Sequence, residues 1–282
     1  MIKIAILTCN EIDPLACNDD HQIIPYLQDQ GIEAVVKVWN SPNENWQDFD
    51  FLIIRSTWDY CENISEFNKF IKSDEIKNKI FNSPDIVLNN YNKSYLLELE
   101  KNHFEIIPTT ISPLNESVIK SSFEKFNTTK LIAKPLVGAG ASGITVLEEG
   151  SLSIPKSEQE MMIQPFQESI VSDGEVSLIF FNSRFSHGIL KLPKEGDFRS
   201  QEEFGSKIVS FTPDKELEDY AREALLSMTK ESLYARVDLL KNSEGHWRLI
   251  GEIELIEPAL YLSFDQQSPE RFAKAISKRV KG

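Results

Sequence analysis

The stretch "YARVDLLKNSEGHWRLIGEIEL", Tyr234 to Leu255, constrains the fold more than any other part of the sequence. Two apolar runs flank a polar turn at Asn242–Gly245, the pattern of a β-hairpin. Side chains alternate along a strand, so Glu252 and Glu254 share one face while Ile253 and Leu255 take the other. Counting back from the turn places Asp238 across from the Glu252/Glu254 segment. Two carboxylates about 7 Å apart repel by roughly 2 kcal/mol at an effective dielectric near 20. A core strand does not carry such a pair without a cation to offset it. Two readings stay open from these residues: an edge strand with a solvated acidic face, or three oxygen ligands converging on Mg²⁺ that also binds phosphate. Glu257 is at an odd offset, just before Pro258, and is expected to be structural.

The rest of the 282-residue chain has room for two or three lobes. "KIAILT", "IEAVVKVW" and "FDFLIIRST" read as strands, with a helix in "HQIIPYLQDQG" ending at Gly31. That β-α-β-β order predicts a parallel-type α/β lobe over residues 1–88. A turn at Ser83–Pro84 and a polar stretch follow, then a helix from about Ser94. Strands "KLIAKPL", "GITVLEE" and "EMMIQPF" mark a second lobe over 89–170. "EVSLIFF", "RFSHGILKL" and the hairpin make a third over 171–282, with helices at "DKELEDYAREALLSMT" and "SPERFAKAISKRVKG". The fold class is therefore α/β, built of α+β lobes. A net charge of −14 argues against a general nucleic-acid binder, which needs a basic face. The opening "MIKIAILTCNEIDP" is too short and too soon polar for a signal peptide or membrane span. Cys9, Cys17 and Cys61 show no metal-ligand spacing, which fits a reduced, cytoplasmic setting.

Two further segments can carry chemistry. In "KLIAKPLVGAGASGITVL" an apolar strand delivers Lys134, and a small-residue loop from Gly138 to Gly143 returns into the next strand. Such a loop lets backbone N–H groups approach phosphate, although a plain flexible hairpin has the same sequence. No Lys-Ser/Thr follows it, so it is not a Walker loop. "HGILKLPKEGDFRSQEEFG" sets Lys191 and Arg199 either side of a turn, where a guanidinium fork suits phosphate or carboxylate. An exposed loop with routine charge is the plainer alternative.

Taken in order, these segments resemble the ATP-grasp superfamily over essentially the whole chain. The carboxylate–amine ligase branch is nearest, the glutathione synthetase and ribosomal S6-modifying ligase type. "RSTWDY", "QPF", "GEVS", "SHGILKLPKEGDFR", "YARVD" and "ELIEPALYL" look like the subgroup that includes D-cycloserine ligase. The resemblance implies ATP between two lobes and Mg²⁺ (or Mn²⁺) on Asp238, Glu252 and Glu254. It implies phosphate contacts from Lys93 and Lys134 and a flap containing Gly138, Gly140, Ser142 and Gly143. Adenine would be read through backbone groups of Gln164 and Phe166, and the ribose by Glu168. Lys191 and Arg199 would stabilise the transferring phosphoryl group and an acyl-phosphate intermediate. Two departures stand out: Glu254 replaces the Asn that related ligases use, and Ser177 stands where S6-type ligases have Arg.

The expected function is ATP- and Mg²⁺-dependent amide formation between small carboxylate and amine substrates, in one molecule or two. Arg55, ending the strand "FDFLIIR", is a candidate carboxylate anchor, or else pairs structurally with Asp59 or another acid. Trp58 and Tyr60 are expected at a core or lobe interface. An ATP-grasp small-molecule kinase and a non-catalytic nucleotide-binding regulator are the competing readings. No nucleic-acid or membrane partner is expected, and a homodimer would be ordinary for such ligases.

Overall fold

A computed structural model describes residues 1–9, 18–138, 143–151 and 156–282. The first lobe runs β1 (Ile2–Thr8), α1 (Asn18–Gln22), α2 (Ile24–Asp29), β2 (Ile32–Val38), β3 (Phe51–Ser56), α3 (Ile64–Lys72) and β4 (Ile80–Phe81). Its strands form a parallel sheet in the order β2-β1-β3-β4. Ile4 to Leu7 are fully buried on both faces, as a central parallel strand requires. The helix expected over "HQIIPYLQDQG" is two short ones. Pro25 sits in the first turn of α2, where its missing N–H costs nothing, whereas an unbroken helix could not accommodate it. Pro84 similarly opens α4 (Pro84–Asn90), a helix where the sequence suggested a polar connection, before α5 (Tyr95–Lys101).

The second lobe contains β5 (Thr110–Leu114), α6 (Glu116–Phe126), β6 (Lys130–Pro135), β7 (Thr145–Glu148) and β8 (Ser157–Pro165). These strands form an antiparallel sheet ordered β5-β8-β6-β7. Asn115 caps α6 by accepting from the Val118 N–H at 3.0 Å. One face of the sheet holds α6 through Ile119 and Phe123 against Leu131, Leu147 and Ile163.

The third lobe follows α7 (Ser169–Ser172) with β9 (Glu175–Phe181), β10 (Arg184–Leu192), β11 (Lys207–Phe211), α8 (Lys215–Met228), β12 (Tyr234–Lys241), β13 (Trp247–Glu254) and α9 (Ser268–Lys281). The antiparallel order is β11-β10-β9-β12-β13. The edge strand β11 was not anticipated.

The hydrophobic cores cross the sequence-drawn lobe limits. Tyr95, Leu96 and Leu99 of α5 pack with Val237 and Ile253 of the third sheet. Phe272 and Ile276 of α9 pack with Ile4, Ile6 and Ile53 of the first. Asn82 donates to the carbonyls of Tyr234 (3.0 Å) and Leu255 (2.8 Å) and accepts from the Leu233 N–H. The Tyr234 hydroxyl lies 2.5 Å from the Ile54 carbonyl oxygen and 2.8 Å from that of Ile256. These bonds fix the first lobe to the strands that carry the acidic face.

Candidate active site

Register sets the acidic face. In β12 and β13, Asp238 is opposite Glu252 and Arg236 is opposite Glu254, so all four side chains share one side of the hairpin. Val237, Leu239, Ile250 and Ile253 point the other way and are fully buried. Asp238, Glu252 and Glu254 each bring a carboxylate oxygen within 4.8 Å of the others. β13 is indeed an edge strand, but its acidic face is not merely solvated: Asp238 is 3% exposed, and cations surround the group.

Those cations come from three directions. Lys93, just before α5, is ion-paired with Glu252. Arg236 forks onto Asp238, Nε donating to Oδ1 and Nη2 to Oδ2 at 3.0 Å each, and also reaches Glu254. Lys191, near the end of β10, pairs with Glu175 and lies 3.6 Å from Asp238. Ser177 donates to Asp238, so the residue standing where related ligases have Arg supports this carboxylate. Arg236, Ser177 and Glu175 were absent from the sequence-based set, although period-two spacing from Asp238 marks Arg236.

Burial and charge compete at each group. Burial would raise the Asp238 carboxyl, but Arg236 and Lys191 outweigh it and hold it at about 2. Burial likewise opposes ionised Glu252, yet Lys93 and Lys134 keep it below its ordinary value. Glu254 is pushed up to about 7 by burial, which Arg236 only partly offsets, with Glu252 and Asp238 adding to the rise. Burial would lower Lys191, but Asp238 and Glu175 hold it above the usual lysine range. Lys134 is pulled below that range by burial.

These groups line one cleft of about 940 Å³ between the second and third lobes, which also reaches the first. Lys134 stands near the end of β6, and Gly138 and Gly143 also line the cleft. Gly143 has φ +72°, and an added Cβ would lie 2.8 Å from Pro135, so glycine is required. Gly140 and Ser142 lie outside the described residues. Gln164 and Phe166 line the cleft, with the Lys130 ammonium 3.8 Å from the Phe166 ring centroid. The Phe166 N–H donates to the Lys130 carbonyl at 2.9 Å, so that N–H is already engaged within the sheet. Glu168 is exposed and does not line the cleft, whereas its neighbours Gln167 and Ile170 do. Arg199 lines it and forks onto Asp197 at 2.7 and 3.1 Å, its guanidinium 3.7 Å from the Phe204 ring centroid.

For Arg55, the structural one of its two readings holds, with another acid than Asp59 as partner. It is 3% exposed, outside the cleft lining, and pairs with Asp20 at 3.0 Å while donating to the Pro258 carbonyl at 3.0 Å. Asp59, its suggested partner, instead accepts from Trp39 at 2.7 Å. Trp58 and Tyr60 do reach the cleft, and Tyr60 also packs on Phe67.

Known proteins place this geometry. The family described as the N-terminal domain of D-cycloserine synthetase DcsG matches residues 4–82. The cycloserine biosynthesis protein DcsG of Streptomyces lavendulae is 25% identical over 301 aligned positions, covering 95% of this chain and 97% of that protein. The crystal structure of D-cycloserine synthetase DcsG superposes with a TM-score of 0.84 at 22% identity, covering 99% of each chain. The chain has the ATP-grasp fold, and its relatives mark it as a ligase. A D-alanine–D-alanine ligase from Bacillus anthracis, solved with ATP, shares the fold at a TM-score of 0.69 and 16% identity, covering 100% of this chain and 99% of that one. The ligase thus stands near the D-cycloserine synthetase subgroup, uses ATP, and belongs to the ADP-forming class that makes C–N bonds. Among its described residues, no helix is long and apolar enough to cross a membrane.

Proposed function

We propose that this ligase activates a small amino-acid-like carboxylate as an acyl phosphate and passes it to an amine, within one molecule or between two. The observation that carries the reading is the acidic triad, with ligand atoms within 4.8 Å, facing Lys93, Lys134, Lys191 and Arg236 across one cleft. Three carboxylates at that separation suit a small oxygen-seeking cation such as Mg²⁺. Asp238, Glu252 and Glu254 would hold it, and its chemistry there is to neutralise charge on the phosphate oxygens.

Lys134 and Lys93 hold the ATP phosphates, and Gln164 and Phe166 bound the adenine end. A substrate carboxylate oxygen attacks the γ-phosphorus and ADP leaves. The amine nitrogen then attacks the acyl carbon, phosphate leaves with the C–O electron pair, and the nitrogen loses a proton. Lys191, Arg236 and Arg199 offset negative charge on the transferring phosphoryl and on the tetrahedral oxyanion. No covalent enzyme intermediate is needed.

The test is ADP release with ATP and Mg²⁺ over a panel of amino acids, dipeptides and small amines, repeated with hydroxylamine. An acyl phosphate is trapped as a hydroxamate. ADP release without hydroxamate, leaving a stable phosphate ester, would show a kinase instead. Absence of ADP across the panel would point to a nucleotide-binding regulator.

A further inference from the structure

Beyond the acidic triad, the cleft extends to a corner where β13 has ended and the first lobe meets it. Glu257 and Tyr60 wall this corner, 8% and 3% exposed. Trp58, also on the wall, donates from its indole N–H to the Glu257 carbonyl at 3.1 Å and fixes the two segments together. Every other buried or half-buried acid around the triad has a cation: Glu252 has Lys93, Asp238 and Glu254 have Arg236, and Glu175 has Lys191. Among the described residues the Glu257 carboxyl has neither an ion-pair nor a hydrogen-bond partner, and the Tyr60 hydroxyl has no hydrogen-bond partner. The charges that act on Glu257, in order, are Glu254, Lys93, Glu252 and Arg236, and both of these cations are engaged with other acids. A buried carboxyl left unpaired is costly, so a position that faces a cavity is one that a ligand can complete.

We propose that Glu257, together with the Tyr60 hydroxyl, seats the ammonium group of the amino-acid substrate and thereby selects substrates that carry one. An ammonium offers three N–H donors, and the carboxylate and phenol oxygens supply acceptors for two or more of them. The same corner is deficient in positive charge: burial and Glu254 push the Glu257 carboxyl up to about 8, and an arriving cation favours its ionised form. The placement rests on the ligase reading of the cleft. It makes Glu257 a binding residue, distinct from the triad three positions earlier.

The experiment uses the full chain loaded with ADP and Mg²⁺. It is titrated with free L- and D-amino acids and with their N-acetyl counterparts, by thermal shift and then calorimetry. At least one free amino acid should bind, and its N-acetyl form should not. Glu257→Gln should weaken that binding by about 30-fold or more, and Tyr60→Phe by about 3- to 10-fold, each charge-assisted or neutral bond lost. ADP affinity in both variants should stay within about twofold, which also shows that they fold. Should Glu257→Gln not fold, Tyr60→Phe and Glu257→Asp carry the comparison. Equal binding of free and acetylated amino acids, undiminished binding by Glu257→Gln, or no amino-acid binding by the wild type overturns the seat. Failure of the ligase reading looks different: an amino acid that binds through Glu257 but yields neither ADP nor hydroxamate with ATP.

Discussion

The ligase buries two ionic clusters that differ in what surrounds them. In the first lobe, Arg55 is closed in by Asp20, the Pro258 carbonyl and the rings of Tyr234 and Phe272, 5.2 and 5.9 Å from its guanidinium carbon. Ser56 adds a hydrogen bond to the same Asp20 at 2.5 Å. On the third sheet, Asp238, Glu252 and Glu254 are paired as fully, yet their cluster opens onto the cleft. Buried charge alone therefore does not identify a site. A closed cluster fastens lobes together. An open one, whose cations can transfer from carboxylate to phosphate, can do chemistry.

The largest effect should come from the open cluster. Asp238→Asn should lower turnover by about 10⁴-fold, roughly 5 kcal/mol of transition-state stabilisation. The folded protein should remain, because the amide still accepts from Ser177, while Arg236 keeps Glu254 and Lys191 keeps Glu175 as partners. ADP-release kinetics and a melting curve together check this. A turnover loss under tenfold would erase the contrast.

The closed cluster should respond in the opposite sense. Arg55→Ala strands Asp20 in the interior and should cost about 3–5 kcal/mol of stability by denaturant titration. In the fraction that folds, turnover should stay near wild type. A folded Arg55→Ala protein that is inactive would return Arg55 to the substrate site.

His187 offers a smaller test in the same closed region. Burial holds its imidazole down at about 4, with Nε2 2.9 Å from the Leu260 carbonyl oxygen. The unfolded chain, titrating near 6.5, takes up a proton first as pH falls, so stability should drop from about pH 6.5 towards pH 4. The loss is roughly 3 kcal/mol over that window, and His187→Gln should flatten the slope in pH-dependent melts.

On the open side, Lys134→Ala should weaken ATP binding by about 1.5–3 kcal/mol in calorimetry. Unchanged affinity would remove Lys134 from the phosphate site.

What was legible in the sequence follows the range over which each signal acts. The hairpin was readable because its turn and period-two alternation are local, and they fix Asp238 opposite Glu252. Arg236 obeys the same alternation and was open to the same reading. Glu257 lies past the end of β13 at Glu254, where strand parity no longer tells which way its side chain points. Arg55 finds Asp20 thirty-five positions away and Pro258 two hundred and three away, a pairing that no local pattern encodes. The Phe166 N–H depends on which neighbouring strand supplies an acceptor, and the Lys130 carbonyl does so here. Helix α5 joined the third sheet's core through Tyr95, whose hydroxyl donates to the Ile253 carbonyl at 3.0 Å.

The central claim is that Asp238, Glu252 and Glu254 hold a divalent cation beside the nucleotide phosphates. Electron paramagnetic resonance of Mn²⁺, titrated with a non-hydrolysable ATP analogue into wild type and Glu252→Gln, tests it most directly. Wild type should bind Mn²⁺ with the analogue, and Glu252→Gln should weaken that binding by about tenfold or more while still binding the analogue. Identical Mn²⁺ binding in the two proteins would contradict the account.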